Sequence, residues 1–135
     1  MEKALEQEVR RRAHDLCEYC RTPQIAYRTR HQIDHIIAEK HHGPTQSSNL
    51  SLCCLDFNLH KGANIAGIDP LTSQLSRLFH PRQDIWYEHF EWNGPVLVGI
   101  TPIGRTTIDV LDINNAYRLI TRQTLIDEGI FPSSL

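Results

Sequence analysis

The size, composition and charge of the chain exclude several classes of protein. The sequence has 135 residues, of which 40% are hydrophobic and 22% are charged, as in an ordinary globular domain. No apolar stretch approaches the ~20 residues that cross a membrane, and the opening "MEKALEQEVRRR" lacks the apolar core of a signal peptide. We therefore expect one intracellular, cytoplasmic domain over residues 1–135 with no membrane partner. The net charge of −2 gives no indication of nucleic acid by itself.

The N-terminal half predicts a helix followed by a compact ββα unit. Apolar residues recur at helical spacing over residues 3–15, and "CEYCRTPQ" then forms a knuckle-like turn that Pro23 ends. The apolar runs around "IDHII" and "LSLCC" predict two short strands joined by the polar loop "HHGPTQSSN", and "FNLHKGANI" predicts a short helix. Two strands, a loop and a helix make a ββα unit over about residues 30–66.

The C-terminal half predicts two hairpins. In "AGIDPLTSQLSRLFHPR", Asp69 and Pro70 open a turn between two short segments. The stretch "VLVGITPIGRTTIDVL" alternates well enough to predict a second hairpin. Its predicted outgoing strand carries Val96, Val98 and Ile100 on one side, and its returning strand carries Ile108 and Val110.

The stretch "NNAYRLITRQTLIDEG" is the clearest helix in the sequence. Asn114 or Asn115 can cap its start, and Gly129 ends it. Its predicted apolar stripe consists of Tyr117, Ile120 and Leu125.

The four cysteines indicate a metal site or buried thiols. Disulfides are uncommon in intracellular proteins, which favours these two alternatives for Cys17, Cys20, Cys53 and Cys54. Cys53 and Cys54 are adjacent, so in a strand their side chains would point to opposite faces. At most one of them would readily join a site with Cys17 and Cys20.

Five polar residues in the predicted ββα unit suit the hydrolysis of a phosphodiester. A neutral imidazole at His35 would take a proton from water, and a hard divalent cation held by Asp34 and Asn58 would supply positive charge. Asn49, at the foot of the second strand, is placed to bond loop backbone and fix the direction of His35. Lys61 lies three residues after Asn58 on the same helical face and would meet a phosphate.

The order "IDHII…NLSLCC…FNLHKG" resembles the HNH endonuclease family, and the tail from Gly62 to Pro132 resembles a compact stand-alone bacterial group of that family. This resemblance implies a small α+β fold: a ββα-metal core at about 30–66, an N-terminal helix, and a C-terminal extension of β-hairpins and a helix at about 67–135. It implies His35 as general base, Asn49 as the residue that orients it, and Asp34 and Asn58 as metal ligands in a His-Asn-Asn variant. His60 is interpreted as a phosphate contact or a spectator.

The resemblance also places a structural zinc site at the cysteines, with one departure. Relatives carry a second CxxC ending just before Asn58, whereas this sequence has Cys54 followed by Phe57 at the last position. Cys17, Cys20 and Cys54 therefore supply three of the four ligands that a zinc site needs. Either Cys53, Asp56 or a histidine completes the site, or the zinc is lost and Phe57 fills its place.

The expected function is a metal-dependent endonuclease or nickase that hydrolyses DNA. Its cofactor would be one divalent ion, Mg²⁺ or Mn²⁺ first and Ni²⁺ or Zn²⁺ as alternatives. The second hypothesis is a nucleic-acid-binding module that keeps the scaffold without cutting, because the broken CxxC suggests a decayed site. The sequence gives no indication of the oligomeric state.

Overall fold

The computed structural model describes residues 1–134 as a mixed arrangement of helices and small antiparallel sheets. Leu135, the last residue of the predicted domain, lies outside the described residues. The helices are α1 (Lys3–Arg12), α2 (Leu55–Lys61), α3 (Trp86–His89), α4 (Pro102–Leu111) and α5 (Ala116–Asp127). The strands are β1 (Gln32–His35), β2 (Leu50–Cys53), β3 (Ala66–Ile68), β4 (Leu75–Arg77), β5 (Phe90–Asn93) and β6 (Val96–Gly99). The predicted α+β class is confirmed.

The predicted ββα unit is present as β1, β2 and α2. β1 and β2 pair antiparallel, with Asp34 opposite Ser51 and His35 opposite Leu50. Cys54 separates β2 from α2, so the helix folds back directly beside the hairpin. The predicted first helix is also present, but α1 ends at Arg12, because the following residues leave the helical conformation. The described residues 1–134 contain no helix long and apolar enough to span a membrane.

The first predicted C-terminal hairpin is confirmed, and the second is wrong. β3 and β4 pair antiparallel on either side of the Asp69 turn. β6, however, pairs backwards with β5, and the predicted returning strand is helix α4. Thr101 caps this helix by accepting a hydrogen bond from the Gly104 N–H, and Pro102 occupies its first turn. The Thr-Pro pair favours the start of a helix, and these residues form a helix although their apolar residues alternate as in a strand.

The predicted C-terminal helix is confirmed as α5, but its buried face was predicted wrongly. The Asn115 side chain caps it by accepting a hydrogen bond from the Arg118 N–H. Tyr117 and Ile120 are 72% and 67% exposed. Leu125 is buried as predicted, and the helix buries Arg118 and Arg122 beside it.

The buried residues form two apolar clusters on the two sides of the β1–β2 hairpin. The smaller one joins α1 to β2 through Val9, Ala13, Leu50 and Leu52. The larger one joins the cysteine knuckle and α2 to the C-terminal elements, and includes Cys17, Tyr19, Cys54, Phe57, Trp86, Phe90 and Leu111. The C-terminal extension therefore completes the core that supports the ββα unit, and leaves the outer face of α2 accessible.

Candidate active site

Three of the predicted site residues line one open pocket. Asp34 and His35 reach it from the end of β1, and Asn58 reaches it from the middle of α2. The pocket has a volume of about 290 Å³, and Gly62 and Glu39 form parts of its rim. The structure thus brings a carboxylate, an imidazole and a carboxamide together at the open side of the ββα unit.

Asp34 is a buried carboxylate that is paired with a buried lysine. Its relative exposure is 5%, its Oδ1 accepts a hydrogen bond from Lys61 Nζ at 3.2 Å, and its Oδ2 lies 3.1 Å from the same ammonium in an ion pair. The Tyr19 hydroxyl donates to Asp34 Oδ2 at 3.4 Å. Burial raises the pKa of Asp34 above its ordinary value, and the charge of Lys61 opposes that rise.

His35 leaves β1 on the opposite face from Asp34, as expected for consecutive strand residues. Its Nε2 lies 2.8 Å from Thr45 Oγ1 and 3.3 Å from Glu39 Oε1, both in the loop between the two strands. The side chain is 20% exposed. The ring is therefore held by two side chains and remains in reach of a water molecule in the pocket.

Asn49 closes the loop that follows β1. Its Oδ1 accepts from the Ile37 N–H at 2.9 Å, and its Nδ2 donates to the carbonyls of Ile37 and Pro44 at 2.9 and 3.0 Å. Gly43 lies under this arrangement, where a Cβ atom would be 1.7 Å from the Ile37 carbonyl oxygen. The loop backbone is thus fixed at both ends, two residues after His35.

The predicted phosphate contacts differ in their accessibility. Lys61 is 1% exposed, and its second hydrogen bond goes to the His35 carbonyl oxygen at 3.1 Å, so its ammonium does not face solvent. The His60 side chain is 50% exposed, with Nδ1 2.8 Å from the Asp56 carbonyl oxygen. Two of the N-terminal arginines hold the fold: Arg10 donates to the His31 carbonyl and Arg12 to the Leu50 carbonyl.

The cysteine knuckle brings three thiols together. Ligand atoms of Cys17, Cys20 and Cys54 lie within 4.8 Å of one another, with the sulfurs of Cys20 and Cys54 3.6 Å apart. All three residues are buried. A tetrahedral zinc ion with ~2.3 Å bonds would require sulfurs slightly under 4 Å apart. The three thiols therefore fit three positions of a thiophilic metal site.

The thiol pKa values differ within this cluster. Burial acts to raise the pKa of Cys17, but hydrogen bonds from Cys20, Cys53 and Cys54 hold that pKa well below its ordinary value. Burial together with the Cys17 neighbour raises the pKa of Cys20 to about 12. A soft divalent ion that binds these sulfurs would displace the thiol protons that remain.

Two of the residues considered for the fourth position, Phe57 and Asp56, are engaged elsewhere in the core or in an ion pair. Phe57 is fully buried in the same core as the three cysteines. Asp56, one of the proposed fourth ligands, forms an ion pair with Arg118, whose Nε donates to Oδ2 at 2.8 Å. The Arg118 guanidinium also lies 3.9 Å from the centre of the Tyr27 ring. Asp56 is therefore directed away from the sulfurs.

The pocket at Asp34 fits one hard divalent cation. A carboxylate from β1 and a carboxamide from α2 are the oxygen donors that Mg²⁺ and Mn²⁺ prefer. The Lys61 ammonium partly neutralises the carboxylate, so the donor set suits a weakly held ion.

The sequence did not identify three residues of this site, and it gave Lys61 a different role. Tyr19 and Lys61 hold Asp34, whereas Thr45 and Glu39 hold His35. Lys61 was assigned to phosphate because helical spacing places it near Asn58, and no sequence pattern reveals that its partner lies on β1. Thr45 and Glu39 lie in an irregular loop, where spacing carries no directional information.

Comparisons with known proteins give one match. The family model described as HNH endonuclease matches residues 17–64, from the first cysteine of the knuckle to the loop after α2. No curated protein and no solved structure matches the chain. The matched segment contains all the predicted site residues, and domains of this family are usually endonucleases that act on nucleic acid and bind a metal. Residues 17–64 of the chain therefore match the HNH endonuclease family.

Proposed function

We propose that this protein is a metal-dependent endonuclease, and specifically a nickase, that hydrolyses DNA phosphodiester bonds as one domain. The observation that carries the proposal is the shared pocket of Asp34, His35 and Asn58. A carboxylate, an imidazole and a carboxamide in one open pocket are the groups that a one-ion phosphodiesterase needs. The buried core common to the knuckle, α2 and the C-terminal elements supports the single domain.

In this proposal His35 is the general base. Its ring nitrogen takes a proton from a water molecule, whose oxygen attacks the phosphorus while the bond to the 3′ oxygen breaks. Thr45 and Glu39 hold the ring at the rim of the pocket, and Asn49 fixes the loop that carries them. The departing 3′ oxygen takes its proton from solvent, so the products are a 3′-hydroxyl and a 5′-phosphate.

Asp34 and Asn58 would hold the divalent ion, with Mg²⁺ or Mn²⁺ as the expected metal and Ni²⁺ or Zn²⁺ as substitutes. When bound, such an ion supplies positive charge to the scissile phosphate. A single site of this kind cuts one strand in each encounter, so a double-strand cut would require two events or two copies. The His60 side chain is 50% exposed, with Nε2 4.0 Å from Asp112 Oδ2, and it is the proposed contact of α2 with the DNA backbone.

The second candidate function is DNA binding without cleavage. The observation that favours it is the Asp34–Lys61 ion pair, which already satisfies the carboxylate without any metal. Binding of DNA that is insensitive to chelators, with no nicking after prolonged incubation with any divalent metal, would establish this alternative.

The deciding experiment is a plasmid-nicking assay over a panel of divalent metals. Wild type is expected to convert supercoiled DNA to the open-circular form with Mg²⁺ or Mn²⁺, and EDTA is expected to stop it. His35→Ala is expected to reduce the rate by about 100-fold or more, since general-base catalysis contributes ~10²–10⁴-fold. The matched control is His41→Ala, which removes an exposed histidine of the same loop and should retain activity. Wild-type nicking by His35→Ala would remove the proposed mechanism.

A further inference from the structure

The Lys61 side chain contacts other residues of the active site and does not face the solvent from which a substrate would approach. Its ammonium donates hydrogen bonds to Asp34 Oδ1 and to the carbonyl oxygen of His35, and it forms an ion pair with Asp34 Oδ2, all within 3.2 Å. Its side chain is 2% exposed. The ammonium of Lys61 is therefore paired inside the protein and is not available to a substrate phosphate.

These contacts connect two residues with different proposed tasks. Asp34 lines the pocket of the proposed cation, and the His35 backbone determines where the imidazole ring begins. Lys61 is the last residue of α2, and Asn58 lies one turn earlier on the same helix. One ammonium thus fixes β1 against α2 where their side chains enter the pocket.

The ammonium also sets the electrostatics of the pocket. A metal ion bound to Asp34 would share that carboxylate with an existing positive charge a few ångströms away. Two positive charges at such a distance repel each other appreciably even with strong dielectric screening. Lys61 therefore fixes the position of the Asp34 carboxylate, and its positive charge lowers the affinity of that carboxylate for a metal ion.

We propose that Lys61 is the positioning residue of the metal pocket, aiming Asp34 and tethering His35 while keeping the affinity for the divalent ion low. The proposal rests on the function proposed above. It replaces the expectation that Lys61 contacts phosphate, and it predicts opposite effects on metal binding and on turnover when the charge is removed.

The test is Lys61→Met, which keeps the length of the side chain and removes its charge. Mn²⁺ binding to the DNA-free protein, measured by calorimetry or electron paramagnetic resonance, is expected to become about tenfold tighter or more. Nicking at saturating Mn²⁺ is expected to be at least about tenfold slower, because Asp34 and His35 lose their common anchor. Lys3→Met, which alters an exposed lysine of α1, should change neither quantity.

Two results with folded Lys61→Met would overturn the proposal. One is Mn²⁺ affinity equal to or weaker than that of wild type. The other is weaker DNA binding with unchanged Mn²⁺ affinity, which would restore the phosphate contact. Metal binding is measured without DNA, so a failure here is distinct from an absence of nicking in the wild-type protein.

Removing the charge leaves Asp34 buried without a partner, and the variant can fail to fold. In that event Mn²⁺ is titrated into the unfolded variant and circular dichroism is recorded. The proposal predicts that Mn²⁺ restores the fold, because the ion takes the place of the ammonium beside Asp34. Failure to refold at millimolar Mn²⁺, under conditions where Lys3→Met is folded, would overturn it.

Discussion

Asn49 holds Ile37 by both of its backbone groups, accepting from the N–H and donating to the carbonyl oxygen, each at 2.9 Å. This pair joins the start of β2 to the residues directly after β1. Asn49→Ala would leave two buried backbone groups without these partners and free the loop that holds His35. We expect unfolding free energy to fall by about 1–3 kcal/mol and nicking to slow. Asn64→Ala, at an exposed site, is the control for chemical denaturation and for activity.

A second test of Asn49 separates its effect on stability from its effect on nicking activity. If Asn49 orients His35, the loss of nicking should persist at low temperature, where the variant is fully folded. Full activity of the folded Asn49→Ala protein would limit this residue to a structural role.

Removal of metal from the cysteine cluster is expected to leave the fold intact. The knuckle is held by backbone bonds of Cys17 to Thr22 and of Glu18 to Leu52, and by the bond from Trp86 Nε1 to the Tyr19 carbonyl at 2.8 Å. Phe57 fills the core beside it. Treatment with a chelator should therefore change the melting temperature by less than about 4 °C, equivalent to less than ~1 kcal/mol. Unfolding on chelation, with zinc detected in the released fraction, would show that the fold depends on the metal.

Arg122 should be among the most sensitive positions outside the site. It is fully buried, and it donates to the carbonyls of Pro95 and Ile113 and to Asn114 Oδ1 at 2.7–3.0 Å. Arg122→Met would remove all three hydrogen bonds from a buried site, at an expected cost of about 2–4 kcal/mol in urea denaturation. Arg11→Met removes an arginine that is 73% exposed, and it should cost less than ~1 kcal/mol. Equal effects of the two substitutions would contradict this role of Arg122.

The turn after β3 should make stability depend on pH. Arg105 donates to both oxygens of Asp69, at 3.0 and 2.9 Å, and holds the pKa of that carboxyl well below its ordinary value. A lowered pKa stabilises the folded state above the unfolded-state pKa of about 4, and this contribution is lost as the pH falls below that value. The melting temperature of Asp69→Asn should therefore lie below that of wild type at about pH 7, and the difference should narrow below about pH 4. A difference that widens in acid would contradict the assignment.

The sequence was sufficient for the ββα unit because its signals agree. Apolar runs of strand length, a polar loop and a short helix follow each other in the only order that forms a hairpin backed by a helix. The predicted returning strand is wrong at α4. The stretch containing Gly99 and Pro102 is compatible both with an alternating strand pattern and with a helix that starts at a Thr-Pro cap. Pairing of β6 with β5 decides between them, and pairing is a tertiary property.

The burial of three charged side chains was the other feature of the fold that the sequence could not predict. Arg118 and Arg122 lie on the buried face of α5, because Asp56 forms an ion pair with Arg118 and backbone carbonyls accept hydrogen bonds from Arg122. Tyr117 and Ile120 remain at the surface. Lys61 was predicted to contact phosphate for the same reason. A charged residue is predicted as exposed until its partner is known, and each of these partners lies on a distant element.

The central claim is that Asp34 and Asn58 bind the same divalent ion beside His35. The most direct measurement is an anomalous difference map from crystals of the protein soaked with Mn²⁺. The account predicts one strong peak in the pocket, in contact with the Asp34 carboxylate and with Asn58 Oδ1. A peak that contacts neither residue, in crystals of protein that nicks DNA with Mn²⁺, would contradict it.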